Sequence, residues 1–269
     1  MSSISEPAGA EDIFAILSLE VIDDDVYRSN YVAREDRPLY GGQVAAQALA
    51  AAGATVPLER RPHSLHAYFL RPGDSHRPVV FRVERDRDGR SVSARRVVAL
   101  QAGKVIFNLA ASFQVPKDGP EIQATAMPGV PSPDDLPRHT FPRQPAFDVR
   151  VISMGSEHYP LPTRFWARCR ADLPPDGLLH ACVLTYLSDA STGLIDHLEP
   201  DWLPAASLDH AVWLHRPVAL DDWVLVDLVG QTLTASRGLY AGSVFSADGT
   251  LAASLSQEMV LRRRQEHRE

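Results

Sequence analysis

Residues 178–189 read Leu-Leu-His-Ala-Cys-Val-Leu-Thr-Tyr-Leu-Ser-Asp, and no formally charged residue lies between Gly177 and Ser188. Apolar side chains occupy nearly every side of a helical wheel drawn through this stretch, and a helix that is apolar all round is a buried one. It ends in Asp189, a carboxylate at the negative end of the helix dipole, where an anion is disfavoured. Two explanations stay open. Either Asp189 begins the turn Asp-Ala-Ser-Thr-Gly, since Asp favours turns, or a buried helix delivers a carboxylate to a pocket.

A second stretch, 39–58, is also uncharged. Gly41, Gly42, Gln43, Gln47, Gly53 and Pro57 interrupt it and Ala dominates it, so it is too weakly apolar for a membrane span of about 20 residues. It predicts a buried helix over 43–52, made of small side chains that let it sit close to its surroundings. Outward from these helices the chain alternates strand and turn. Before the first helix come a short amphipathic helix at 11–19 and a strand at 26–32. Strand-like runs at 63–70, 78–86, 91–101 and 104–114 follow it, joined at Arg-Pro-Gly-Asp, Arg-Asp-Gly and Ala-Gly-Lys, which are turn signals. Eight prolines then punctuate 116–146 without any apolar period, the mark of a linker. The pattern restarts with strands at 147–152 and 164–171, the buried helix and a loop at 190–204. Strands at 205–215, 222–246 (broken near Arg237-Gly238) and 251–262 complete it.

Residues recur as well as classes. Leu109-Ala-Ala-Ser112 reappears as Leu251-Ala-Ala-Ser254, each preceded by an arginine fourteen positions earlier, Arg95 and Arg237. Arg71-Pro72 is echoed by Arg216-Pro217. Self-similarity of this kind marks a duplicated unit. Each unit reads as strand, central helix, then four antiparallel strands, and the apolar face of a sheet must be covered. The expected fold is α+β, a double hotdog in which two antiparallel sheets join into one curved sheet wrapping two central helices. The expected division is 1–115, a Pro-rich linker at 116–146, and 147–269 with the catalytic residues. Superposing Gly41 or Gly42 on Gly177 puts Gly53 or Ala54 where Asp189 stands, so only one of the two units carries the acid.

Composition restricts the function. The 269 residues are 45% hydrophobic and 23% charged, as in ordinary globular proteins, and the net charge of -7 gives no basic footprint for nucleic acid. Two cysteines, Cys169 and Cys182, offer neither a disulfide framework nor zinc spacing, which fits a reducing, cytoplasmic setting. The N-terminus has no basic region of a secretory signal and the C-terminus no peroxisomal tripeptide.

Four motifs, taken together and in order, strongly resemble the acyl-CoA thioesterase II (TesB-like) family. They are Tyr40-Gly-Gly-Gln-Val-Ala-Ala-Gln-Ala-Leu49, His63-Ser-Leu-His-Ala-Tyr-Phe-Leu-Arg-Pro-Gly73, Asp88-Gly-Arg-Ser-Val-Ser-Ala-Arg-Arg96 and Leu208-Asp-His-Ala-Val-Trp-Leu-His-Arg-Pro217. The resemblance covers nearly the whole chain, less so in the Pro-rich segment and at both ends. It implies hydrolysis of a fatty acyl-CoA to free acid and CoA. It also implies a water held by an Asp, a hydroxyl and a Gln, which map to Asp189, Ser207 and Gln257. Some relatives carry Thr where Ser207 stands, and the hydroxyl is kept. The chemistry agrees: a carboxylate can take a proton from water as general base, while a hydroxyl and an amide can orient that water. The developing oxyanion needs preorganised donors, and Gly41-Gly42-Gln43 opens a helix whose free N–H groups suit an anion. The same glycines would equally serve a tight turn.

Other polar residues read less sharply. His63, His66, His210 and His215 have spacings that match no closed metal set, so no metal or cofactor is expected. Asp209 suits a structural hydrogen bond at a strand start. Arg71, Arg95, Arg96 and Arg216 either contact CoA phosphates or form salt bridges. Trp202, Trp213 and Trp223 read as packing residues. An enoyl-CoA hydratase or dehydratase of the same fold would want an acid–base pair of Asp and His, and the first histidine after Asp189 is His197. A non-catalytic acyl-CoA sensor would be favoured by loss of one of the three polar groups. The partners expected are an acyl-CoA and further copies of the chain in a homodimer or homotetramer, with no nucleic acid and no membrane span.

Overall fold

The computed structural model describes residues 12–141, 143–155 and 159–264; the readings of the extreme N-terminus and of the last five residues lie outside them. The elements are α1 (Ile13–Leu17), β1 (Leu19–Asp23), β2 (Val26–Ser29), α2 (Gly41–Gly53), β3 (Arg61–Phe69), β4 (Val80–Asp88), β5 (Val92–Gln101) and β6 (Lys104–Gln114). After the Pro-rich segment come β7 (Arg138–His139), β8 (Phe147–Met154), β9 (Pro162–Cys169) and α3 (Gly177–Ser188). The chain closes with β10 (Trp202–Ser207), β11 (Asp209–Leu214), β12 (Val224–Thr234), β13 (Arg237–Ser246) and β14 (Leu251–Arg263). Among the described residues no helix is long and apolar enough to cross a membrane.

All strands join one antiparallel sheet ordered β1-β2-β4-β5-β6-β3-β11-β14-β13-β12-β9-β8-β7, with β10 also paired to β14. Alternation along β5, where Ser93, Arg95, Val97 and Ala99 are buried and their neighbours are less so, shows one face turned to the core. That core is one cluster including α1, α2 and α3. α2 is buried on nearly every side from Gly42 to Gly53. Six alanines let it nest this closely, and the sheet must wrap it to cover so much of its surface. This is the double hotdog that the sequence predicts.

The seam between the two repeats is β3 against β11, and its register shows the pseudo-twofold. The pairs Asp209↔Tyr68 and Trp213↔Ser64 exchange about a central pair, Ala211↔His66. The hydrogen bonds just beyond the seam repeat too. The N–H groups of Leu70 and Arg71 both donate to Ile106 O, and those of His215 and Arg216 both donate to Ala252 O. The Arg-Pro echo is therefore a true structural correspondence. The Leu-Ala-Ala-Ser echo is not: with Ile106 matched to Ala252, Leu109 corresponds to Leu255 and not to Leu251.

Other readings need correction. β1 forms an edge strand where the sequence pattern showed only the end of a helix, and its register with β2 shifts between Val21 and Asp23. β7 and a short 3₁₀ turn at Pro133–Asp135 fall inside the Pro-rich stretch. The break between β12 and β13 lies at Ala235 and Ser236, which hold φ of 48° and 58°. Two positive φ values fit the right-handed twist of a hairpin, and here residues other than Gly supply them. Gly238 is small for a different reason, since a Cβ there would stand 2.6 Å from Leu194 Cδ1. Finally, the single strand expected over 205–215 divides at Leu208 into β10 and β11.

Arg95 is the largest fully buried side chain. Its Nε donates to Thr55 Oγ1 at 2.7 Å, and its Nη2 to Thr55 O at 3.0 Å and Asp88 Oδ1 at 2.8 Å. It ties the segment leaving α2 to β4 and β5, so it is not a surface phosphate ligand. Arg96 lies outside, paired with Glu84 and Asp86. Removing a buried charge's partners costs several times more than removing an exposed pair. Arg95→Met is expected to lower unfolding free energy by about 2–4 kcal/mol, and the exposed Arg96→Met to change it far less, both read from urea titration.

Candidate active site

α3 is capped at its start by Asp176, whose Oδ1 accepts from the N–H groups of Leu178 and Leu179. It delivers Asp189 as its C-cap residue. α2 has no side-chain cap of its own; instead the Gly42 N–H donates to the Asp189 carboxylate. The two helices run antiparallel, since Gly53 at the end of α2 abuts Leu178 at the start of α3. The placement of Asp189 is thereby explained. The anion that is misplaced on its own helix sits at the positive end of the other one. The glycines permit this approach: a Cβ at Gly41 would stand 2.6 Å from Asp189 Oδ2 and 2.8 Å from the Phe69 ring, and one at Gly42 would collide with the Tyr186 carbonyl oxygen. Tyr40 closes the contact, its hydroxyl donating to that same oxygen at 2.7 Å.

The strand division at Leu208 brings in the remaining groups. β14 pairs with β11 through Ser256 and with β10 from Met259 onward, leaving Gln257 and Glu258 opposite the break. There the Asp209 carboxylate accepts the Glu258 N–H at 2.8 Å, the structural role its position suggested. Gln257, 1% exposed, points inward. Its Nε2 donates to Asp189 Oδ1 at 3.0 Å and to Ser207 Oγ at 2.6 Å. Both bonds start from one nitrogen, so the carboxylate and the hydroxyl are close enough to share a water. The Ser207 oxygen accepts from Gln257, which leaves its own proton to donate. Burial pushes the Asp189 carboxyl up to about 6, opposed by the Gln257 bond, the Gly42 N–H and the charge of Arg143.

The structure thus brings together Asp189, Ser207, Gln257, Gly41 and Gly42, and Gln43 lies buried in the same first turn of α2. Sequence reasoning missed Arg143, which reaches the site from the end of the Pro-rich segment, pairing with Glu35 at 3.0 Å and lying over the Tyr40 ring. It also missed Ser188 and read His210 only as one of four strand histidines without metal spacing; both are buried. Strict alternation with Val212 on β11 could have placed His210 inside. Two of the other histidines are accounted for locally: His66 packs edge-on against Trp213, and His215 bonds Ser254 Oγ at 2.9 Å. Arg71 bonds Val105 O, and Arg216 bonds Glu121 and Leu251 O.

Family models match both halves of the chain. Residues 34–114 match the acyl-CoA thioesterase N-terminal domain, and residues 121–261 match the corresponding C-terminal domain. The chain belongs to the acyl-CoA thioesterase family. An acyl-CoA thioesterase 2 from Haemophilus influenzae is 36% identical, with 93% of this chain and 97% of that protein aligned. The crystal structure of an acyl-CoA thioesterase II, TesB2, from Mycobacterium marinum superposes with a TM-score of 0.81 at 39% identity, covering 96% of this chain and 99% of that one. A hot dog fold protein from Alicyclobacillus acidocaldarius, 21% identical, superposes at 0.80 over 94% and 98% of the two chains and shows the shared fold. This thioesterase therefore hydrolyses acyl-CoA thioesters.

Its part-buried acid has a stability signature. The folded state binds the Asp189 proton more tightly than the unfolded chain does, so stability falls as pH rises from the ordinary carboxylate range through about 6 and is level above that. The cost at neutral pH is on the order of 2–3 kcal/mol. Asp189→Asn removes that charge. The variant's melting temperature, relative to the parent, is expected to be several degrees higher at pH 8 than at pH 5, measured by calorimetry at both pH values.

Proposed function

We propose that Asp189, Ser207 and Gln257 hold and activate the hydrolytic water of this thioesterase. The observation that carries the reading is the single amide nitrogen of Gln257 bridging carboxylate and hydroxyl. Asp189 takes a proton from the water as the oxygen attacks the thioester carbonyl carbon. A group whose pKa lies near 6 is ionised at neutral pH and basic enough to accept that proton. The tetrahedral intermediate collapses with cleavage of the C–S bond, and the proton on Asp189 goes to the departing CoA sulfur. Ser207 and Gln257 fix the water's direction.

The oxyanion falls to N–H groups at the start of α2, where the first turn lacks intrahelical acceptors. Gly42 already donates to Asp189, so the role passes to its neighbours Gly41 and Gln43. The repeats at 1–115 and 147–269, joined by 116–146, both contribute to this one site, the first through α2 and the second through the acid, hydroxyl and amide. The chain acts on fatty acyl-CoA in the cytoplasm, a setting supported by two buried free cysteines. Self-association into a homodimer or homotetramer is supported by Tyr68 and Trp213, both exposed along the central seam.

Release of CoA thiol from acyl-CoAs of graded chain length, followed with a colorimetric reagent, tests the reading. kcat/KM is expected to fall about tenfold per pH unit below about 6 and to level off above it. Asp189→Asn should lose roughly 10²–10⁴-fold in kcat. Parent-like thiol release by that variant would remove Asp189 as the base. Binding without release at any chain length would mark a sensor, and a 3-hydroxyacyl product from an enoyl-CoA would mark a hydratase.

A further inference from the structure

Two buried polar atoms beside the site lack partners: His210 Nδ1 and Gln257 Oε1. His210 is wholly buried, and the β11–β14 register that pairs Ala211 with Ser256 sets it beside the inward-facing Gln257. Leaving one buried polar group unpaired costs about 1–3 kcal/mol, so two such groups at one place need a reason.

The direction of Gln257 is fixed by its other end. Its Nε2 faces the Asp189 carboxylate and Ser207; the reverse orientation would set an amide oxygen against a carboxylate. Oε1 therefore points away from both and requires a donor. His210 Nε2 lies 2.7 Å from Ser188 Oγ, and that oxygen lies 2.9 Å from Thr185 O. A hydroxyl has one proton. If Ser188 gives it to Thr185 O, the imidazole must donate from Nε2, and Nδ1 is left with a lone pair that offers Oε1 no donor. If Ser188 gives it to Nε2, then Nδ1 carries the ring proton and can donate it to Oε1. Only the Thr185 carbonyl in the last turn of α3 goes short, and an under-satisfied carbonyl is the better tolerated loss. A doubly protonated ring would fill every bond, but burial pushes the imidazole down to about 4 and removes that form at neutral pH.

We propose that His210, held by Ser188 as the neutral Nδ1–H tautomer, is a positioning residue that grips Gln257 Oε1 and so aims the Gln257 N–H groups at Asp189 and Ser207. This rests on the water-holding role assigned to those three residues. The pseudo-twofold supports it independently. The pair Ser207↔Met259 corresponds to Pro62↔Phe113, and the central seam pair makes His210 correspond to Leu65. By the same shifts, Gln257 corresponds to Ala111; with Gly177 on Gly41, Asp189 and Ser188 correspond to Gly53 and Ala52. All five positions are polar in one repeat and non-polar in the other, so His210 and Ser188 are present only where the three site residues are.

The tautomer is read directly by ¹⁵N NMR of the full chain with labelled histidine, the His210 signals being assigned by their loss in His210→Asn. A proton on Nδ1 between pH 5.5 and 8 is expected. A proton on Nε2, or on both nitrogens, overturns the proposal whether or not Asp189 is the base. Kinetics then test the consequence. His210→Leu, which installs the residue of the silent repeat, should lower kcat roughly 30- to 100-fold with KM within about threefold, as small misplacements do. His210→Asn restores an N–H near Nδ1 and should recover kcat to within about fivefold of the parent. Parent-like kcat in His210→Leu, or no recovery in a His210→Asn protein folded by circular dichroism, would overturn it.

Discussion

The structure depends on how closely two antiparallel helices meet at one end. α2 starts without a side-chain cap, α3 ends in a carboxylate that its own dipole disfavours, and each defect answers the other. The approach is possible only because Gly41 and Gly42 carry no Cβ. Asp189 is thus at once the cap of a helix distant in sequence and a carboxylate only partly open to water. Its raised pKa, its bond to Gly42 and its reach to Gln257 follow from that single contact. A carboxylate stabilised only by water would be a weaker base, and one fully neutralised by an arginine would be weaker still.

The broad architecture was legible because it rests on periodicity. Alternating residues in β5 and β6 and the all-round apolar wheel of α3 each state their burial locally. What escaped were features in which tertiary contact overrules local preference. The hairpin at Ala235–Ser236 adopts positive φ without glycine, so no turn residue announced it. The division at Leu208 has no breaker residue, and only pairing with β14 reveals it. The capping of α2 by Asp189 joins residues far apart in the chain, and no local pattern encodes it. The carboxylate, hydroxyl and amide came from the family resemblance, with Asp189 also singled out by its place on the helix. His210 was weighed by its spacing to other histidines, and a partner for Asp189 by nearness in the chain, whereas His210 reaches the site on β11.

The repeats share a backbone plan while differing in side-chain chemistry. Arg95 has no counterpart of its kind, because the matching position in β13 is Tyr240. It secures the exit from α2 with a buried, fully bonded guanidinium. In the second repeat the polar residues are spent around Asp189 instead. Tyr240 fastens the exit from α3 in its turn, its hydroxyl donating to Ser191 O at 3.2 Å, and the continuous β3–β11 ladder holds the two repeats in register.

That ladder has an evolutionary corollary. Two identical subunits meeting on a twofold axis must write every side chain twice, so neither copy can be changed without changing its mate. Covalent joining of the repeats lifts this obligation. The end of the molecule where Gly53 meets Leu178 has become plain packing, free to drift toward tighter hydrophobic fit, while the opposite end keeps a charged group that the fold alone would discard.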